Sequence, residues 1–376
     1  DPFPPCGMFA SARPNTTVFA IVGDYGLDGN CEQIVHTVVM KLQAQFGPLA
    51  FIMTTGDNAY WGGSCESLQS SVVRYYGDFL PNTSIPCTNP LKNPTKGYVN
   101  PHWSDTKHFR DDQEKLSHQL HRYQQQAPHA PWADLYADEP LNGPTHTTPL
   151  PRFFPTIGNH DWDTYQKDPL HMPYFQIFDY LMDFPPADAA HGQFYVVQPI
   201  PGVELYSLNS NIGSPSASPA EQDLFQDQVN WLKTSLRSST APFKFVYFHH
   251  PPFSTAQHDA LAPWMDLDYE DWGATAVFSG HQHTYERLIR NKSRVNGAPP
   301  TIPYFVNGLG GHPWTYQIHD CPPFPGSQVR YNNQHGAQIV IQSWNATTQS
   351  EQLDLCFYST ENGGSIVDHI NLQPKK

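Results

Sequence analysis

No stretch of this 376-residue chain approaches the roughly 20 consecutive apolar residues that a membrane-spanning helix needs, so a soluble protein is expected. Basic residues are scarce: 21 Lys and Arg stand against 35 Asp and Glu, a formal charge of −14. That balance argues against a nucleic-acid backbone or an anionic membrane as partner, and any anionic substrate must be met by a local positive field. The six cysteines (Cys6, Cys31, Cys65, Cys87, Cys321 and Cys356) include no Cys-x-x-Cys pair, which argues against zinc-finger use. Their even number permits three disulfides without revealing the connectivity. Neither Ser279-Gly280 nor Asn209-Ser210 sits in a Gly-x-Ser-x-Gly context, which leaves a serine hydrolase without its nucleophile turn.

The start of the chain, Asp1-Pro2-Phe3-Pro4-Pro5-Cys6, lacks the basic opening and apolar stretch of a signal peptide and reads as a mature end left after cleavage. Pro374-Lys375-Lys376 carries no anchor or retention signal. Four Asn-x-Ser/Thr sequons, at Asn15, Asn82, Asn291 and Asn345, offer sites for N-glycans. Sequons and cysteines together predict a secreted protein, with a lysosomal or vacuolar lumen as the alternative.

What the sequence does contain is strands that run out into glycine loops. Thr16 to Val22 is β-branched and aromatic and ends at Gly23-Asp24. Ile34, Val35, Val38, Val39, Leu42 and Phe46 recur at helical spacing, Gly47-Pro48 stops them, and Leu49 to Met53 is the next strand, leading to Gly56-Asp57. This strand, helix, strand order predicts parallel pairing. From about residue 82 to 151 the periodicity fades and Pro, Asn, His and Lys accumulate. The stretch reads as a polar insertion, a solvated excursion or a lid over a site, with a polar helix at most from Asp111 to Gln126.

Strands resume at Arg152 to Ile157, ahead of Gly158-Asn159-His160-Asp161. Gln193 to Gln198 and Val203 to Leu208 predict a hairpin. Ser218-Pro219-Ala220-Glu221 supplies a capping box and a first-turn Pro for a helix reaching Leu236. Phe243 to Phe248 ends in His249, Ala274 to Ser279 ends in Gly280-His281-Gln282-His283, and Gln338 to Leu372 alternates like antiparallel strands. The element order predicts a mixed α/β fold, two stacked sheets flanked by helices. Because the motifs run from residue 24 to residue 283 and must meet at one site, a single domain over 1–376 is expected, with no room before Asp24 for a separate module.

The five loops hold carboxylates, an amide oxygen, a phenol and imidazoles, the inventory that a pair of hard cations and one bridging anion would require. In their order (Gly-Asp-Tyr-Gly at 23–26, Gly-Asp-Asn-Ala-Tyr at 56–60, Gly-Asn-His-Asp at 158–161, Val-Tyr-Phe-His at 246–249, Gly-His-Gln-His at 280–283) they resemble the purple acid phosphatases, within the calcineurin-like metallophosphoesterases. The resemblance implies that family's αββα fold and two metal ions bridged by Asp57. Asp24, Tyr60 and His283 match the ligands of a ferric ion, and Asn159, His249 and His281 those of a second ion, which is iron, zinc or manganese. Most metallophosphoesterases open with Asp-x-His, whereas this chain has Asp24-Tyr25-Gly26 and Tyr60. A phenolate there suits ferric iron and would give a charge-transfer colour.

His160 and His258 match outer histidines that could bind phosphate or protonate a leaving alcohol. His250 departs from the more familiar aromatic residue at its place. Asp161 is expected to orient a loop or a ligand, Tyr25 to pack, and Tyr285-Glu286-Arg287 to be structural. A disulfide between Cys31 and Cys65, which flank two motif loops, would brace the site. The implied activity is hydrolysis of small phosphomonoesters at acid pH, by in-line attack of a metal-bound hydroxide. A phosphodiesterase or nucleotide hydrolase with the same metals is the alternative, and a non-catalytic binding protein that keeps the fold is the rival from another class.

Overall fold

A computed structural model describes residues 2–9, 11–13, 15–81, 87–89, 151–162, 172–186, 192–256, 261–290 and 302–374. The chain divides into two units, Asp1–Pro90 with Pro151–Lys376, and Leu91–Leu150, of which the second lies wholly outside the described residues. With it go most of the 82–151 insertion, the helix expected at Asp111 to Gln126, and the sequon at Asn82; those at Asn291 and the histidine His258 also fall outside.

Thirteen strands among the described residues follow in chain order: β1 (Thr17–Val22), β2 (Leu49–Thr54), β3 (Phe153–Pro155), β4 (Tyr195–Ile200), β5 (Val203–Ser207), β6 (Phe243–Tyr247), β7 (Ala276–Ser279), β8 (Tyr285–Arg290), β9 (Ile302–Asn307), β10 (Ser327–Tyr331), β11 (Gly336–Asn345), β12 (Ser350–Ser359) and β13 (Ser365–Leu372). Two long helices, α1 (Asn30–Phe46) and α2 (Pro219–Ser238), accompany them. One sheet runs β13-β12-β11-β1-β2-β3 and the other β10-β8-β9-β7-β6-β5-β4. Both are mixed. In the first, β1, β2 and β3 are parallel; in the second, β5, β6, β7 and β9 are. No helix of the described residues is long and apolar enough to cross a membrane.

The parallel strands read as continuous apolar runs because both of their faces are covered. Phe19 of β1 stacks on Phe51 of β2 with ring centroids 4.3 Å apart, and meets Phe245 of β6, in the other sheet, at 6.2 Å. Those aromatic rings make the layer between the sheets. On the opposite side of the first sheet α1 buries Val35, Val38, Val39, Leu42 and Phe46, the helical stripe visible in the sequence. Helix α2 begins with the expected capping box: the Ser218 hydroxyl accepts from the Glu221 N–H, and the Glu221 carboxylate accepts from the Ser218 N–H. The Tyr285-Glu286-Arg287 segment ties elements together. Tyr285 and Arg287 both donate to Asp368 of β13, and Glu286 accepts from Ser254, Thr255 and Ser327.

The cysteines correct one expectation. Cys65 pairs with Cys87, 22 residues on, and Cys6 pairs with Cys356, fastening the start of the chain to β12 across a separation of 350. Cys31 is therefore not bonded to Cys65; it is a buried free thiol on the packed face of α1, pushed up to about 12 by burial. Cys321 is also free. Flanking a loop in sequence says nothing about the direction of a side chain, and Cys31 lies in the first turn of α1 among its buried residues.

Candidate metal centre

Parallel strands deliver their C-terminal ends to one edge, and the motif loops begin there. Asp24 follows β1, Asp57 follows β2, Asn159 follows β3, His249 follows β6, and His281 and His283 follow β7. The turns that carry them are tight. Asp24, Asp57 and His281 hold left-handed backbone, with φ of 56°, 54° and 66°. Such conformations are costly for residues with a Cβ and persist where the surroundings impose them. Gly158 shows how closely the loops approach: a Cβ there would lie 2.0 Å from Asp57 Oδ1 and 2.2 Å from its backbone nitrogen.

Six of the seven sequence-predicted ligands contact one another in two groups of three, and Asp57 adjoins the second group. In the first, the Tyr60 hydroxyl lies 3.4 Å from Asp24 Oδ1 and 3.3 Å from His283 Nε2, and His283 Nε2 is 3.5 Å from Asp24 Oδ1. In the second, Asn159 Oδ1 lies 2.9 Å from His249 Nε2 and 3.0 Å from His281 Nδ1, and His249 Nε2 is 3.4 Å from Asp57 Oδ1. Donor atoms of Asp24, Asp57 and His249 all fall within 4.8 Å of one another, which joins the groups; those of His249, His250 and His281 do so as well.

Backbone carbonyls choose the tautomers. A carbonyl only accepts, so His249 Nδ1 donates to Thr55 O at 2.9 Å and His283 Nδ1 donates to Trp314 O at 2.9 Å. Each ring then presents an unprotonated Nε2 to the cluster when neutral, the arrangement that metal-binding histidines need.

The electrostatics call for a cation. Asp24 and Asp57 are 0% and 1% exposed, and among the described residues neither is paired with a Lys or Arg. Burial opposes ionisation of Asp57, but His249, His160 and His281 outweigh it and hold its carboxyl well below the usual range. Burial likewise opposes charge on His249, yet Asp57, Asp24 and the Thr55 carbonyl lift it to about 9. Burial, Asp57 and Asp24 push the Tyr60 phenol well above its ordinary value, so a phenolate there requires a cation beside it. Hard oxygen and imidazole donors around two buried carboxylates could hold metal ions, and they gather as Asp24, Tyr60 and His283 in one group and Asn159, His249 and His281 in the other.

Asp161 clasps two of the loops. Its carboxylate accepts from the backbone N–H of Asn58, Ala59 and Gly158 and from Asn58 Nδ2, at 2.8–3.2 Å. Burial and Asp57 push its carboxyl up to about 7, against the Gly158 N–H and the two Asn58 donors. Tyr25 is buried and its hydroxyl donates to Asn58 Oδ1 at 2.8 Å, a packing and positioning role. The backbone N–H of His160 donates to Asp57 Oδ1 at 3.0 Å, and its Nδ1 donates to Trp61 O at 3.3 Å. His250 Nδ1 pairs with Ser210 Oγ at 2.8 Å.

His312, 2% exposed, escapes the motif reading. Its ring lies 4.1 Å from that of His283 and 4.7 Å from that of Tyr60, and burial with neighbouring His283 and His160 holds it well below its ordinary value. The signal was available: β9 runs into Gly308-Leu309-Gly310-Gly311-His312, the same strand-to-glycine exit as the other motifs.

A family model for the calcineurin-like phosphoesterases matches residues 131–285. No curated protein sequence matches the chain. Among solved structures, a purple acid phosphatase, PPD1, from yellow lupin (Lupinus luteus) seeds is similar, with a TM-score of 0.57 and 14% identity over 97% of this chain and 55% of the lupin chain. The GAP50 anchor of the inner membrane complex of Plasmodium is similar too, with a TM-score of 0.54 and 13% identity over 96% of this chain and 90% of that one. At such identities these likenesses concern the fold alone. The phosphoesterase model match over residues 131–285 and the two mixed sheets flanked by helices together show a calcineurin-like metallophosphoesterase fold, similar to that of a purple acid phosphatase.

Proposed function

We propose that this protein is a secreted binuclear-metal phosphatase that hydrolyses small phosphomonoesters at acid pH. Ferric iron is assigned to Asp24, Tyr60 and His283, and iron, zinc or manganese to Asn159, His249 and His281, with Asp57 between them. The observation that carries this reading is the Tyr60 hydroxyl, buried within 3.4 Å of Asp24 Oδ1 and 3.3 Å of His283 Nε2. A phenol so placed is a hard, strongly donating ligand of the kind that ferric iron favours.

Two bound metal ions would polarise a phosphoryl oxygen and make water acidic enough to attack near neutral pH. The protein's own groups supply the rest. Asp57 and Asp24 compensate the ions' charge, and the Thr55 and Trp314 carbonyls keep His249 and His283 in register. Asp161 holds the loops of Asp57 and Asn159 together. With its Nδ1–H committed to the Trp61 carbonyl, His160 would use Nε2 to protonate the departing alcohol. The same role for His258 rests on sequence alone.

The test is the visible absorption spectrum of mildly oxidised, metal-loaded protein before and after Tyr60→Phe. A charge-transfer band that vanishes in the variant supports ferric iron on Tyr60. An active, metal-loaded protein without any band sinks the purple assignment and reopens the diester alternative, which paired monoester and diester assays decide. Asp57→Asn is expected to lose metal and turnover together.

A further inference from the structure

We propose that the loop after β9 forms an oxyanion subsite, in which His312 Nε2–H and Trp314 Nε1–H donate to a phosphoryl oxygen of the substrate. This deepens the phosphatase reading and rests on it. His312 Nδ1 accepts the backbone N–H of Trp314 at 3.3 Å, so in the neutral ring the proton sits on Nε2. That Nε2 is buried and has no hydrogen-bond partner among the described residues, and the same holds for Trp314 Nε1. Buried donors are nearly always satisfied, and each exception asks for an explanation.

The kind of ligand follows from the donors. An indole N–H can only donate, so the pair suits an acceptor-only group, an oxyanion, and does not suit a cation. The place is right as well. The rings of His312 and Trp314 are 5.1 Å apart, and His312 lies against the rings of His283 and Tyr60. The His312 N–H donates to Asp24 O at 2.9 Å, His283 donates to Trp314 O, and the Tyr316 N–H donates to His283 O at 3.0 Å. The loop and the candidate ligands are therefore one hydrogen-bonded unit. The half-buried Trp314 packs on Trp61 with centroids 5.5 Å apart and shields the donors from water, which strengthens a hydrogen bond to an anion.

Inorganic phosphate is the probe. Its affinity for the metal-loaded protein is measured by calorimetry, with metal content determined in parallel, for wild type, His312→Ala, His312→Gln and Trp314→Phe. His312→Ala is expected to weaken phosphate by about tenfold or more, the factor that a hydrogen bond to a charged group carries, at unchanged metal content. His312→Gln, whose amide nitrogen replaces Nε2, should recover most of that loss, and Trp314→Phe should lose several-fold. Unchanged affinity in His312→Ala with full metal, or a Gln variant no better than Ala, overturns the subsite. Loss of metal from His312→Ala overturns it too, making His312 part of the metal site. Wild-type protein that holds metals and binds no phosphate would refute the phosphatase reading itself.

Discussion

Removing the Asp161 carboxylate should cost more stability than any exposed charge in this protein, and the number of hydrogen bonds sets the amount. Four donors converge on it from two loops: the N–H groups of Asn58, Ala59 and Gly158, and Asn58 Nδ2. The residue is 1% exposed. In Asp161→Ala all four donors lose their acceptor, and a stranded buried donor costs roughly 1–3 kcal/mol. Taking the low end, to allow for water entering the small space, gives about 4 kcal/mol. Asp161→Asn keeps one oxygen for the Asn58 and Ala59 N–H groups and turns an NH₂ toward Gly158 N and Asn58 Nδ2, so about half the cost is expected, roughly 2 kcal/mol. Urea unfolding at about pH 8.5, where the raised Asp161 carboxyl is ionised, measures both with and without metal. Because Asp161 holds the loops and does not touch an ion, the two penalties should be similar in either form. A penalty below about 1 kcal/mol for Ala, or an Asn variant as costly as Ala, would refute the clasp. Selective loss of metal without loss of stability would instead make Asp161 a ligand.

Two further predictions concern the scaffold. Burial holds His36 down to about 4, although the Tyr75 backbone and Asp78 pull the other way, so the unfolded chain takes up this proton from pH 6.5 downward and the folded chain only near 4. The stability from this group is full above pH 6.5 and falls by about 3 kcal/mol as pH drops to 4; His36→Phe should flatten that slope in urea midpoints, and parallel curves would refute it. Opening Cys6–Cys356, which spans 350 residues, should cost about 6 kcal/mol against about 3 kcal/mol for Cys65–Cys87, which spans 22, on chain-entropy grounds. Cys→Ser variants compared by unfolding decide it, and the reverse order would show that native contacts dominate.

Much of the fold was legible in the sequence because the parallel strands are buried on both faces. Such strands need unbroken apolar runs, and β1, β2, β6 and β7 all announced themselves that way. The stripe of α1 and the Ser218 capping box were legible for the same local reasons. Strands β8 and β10 were not, since Arg287, Arg290, Gln328 and Arg330 interrupt any alternation. Their identity depends on the pairing of β8 with β9 and β10, and on Asp368 reaching Tyr285 and Arg287 from β13.

What the residues determined by themselves is the chemistry on offer: seven oxygen and nitrogen donors at strand exits, in one order, on an acidic chain with no Lys or Arg among them. Local patterning suffices for that, because a glycine turn after an apolar strand is readable from neighbours alone. Only the tertiary structure decided which donors meet. It brought Tyr60 to Asp24 and His283 across 36 and 223 residues, turned the imidazoles by bonding them to the Thr55 and Trp314 carbonyls, joined Cys65 to Cys87 and left Cys31 free. It also drew His312 against the site with a donor still unpaired. Those outcomes depend on strand register and loop packing between segments far apart in the chain, and no window of sequence contains them.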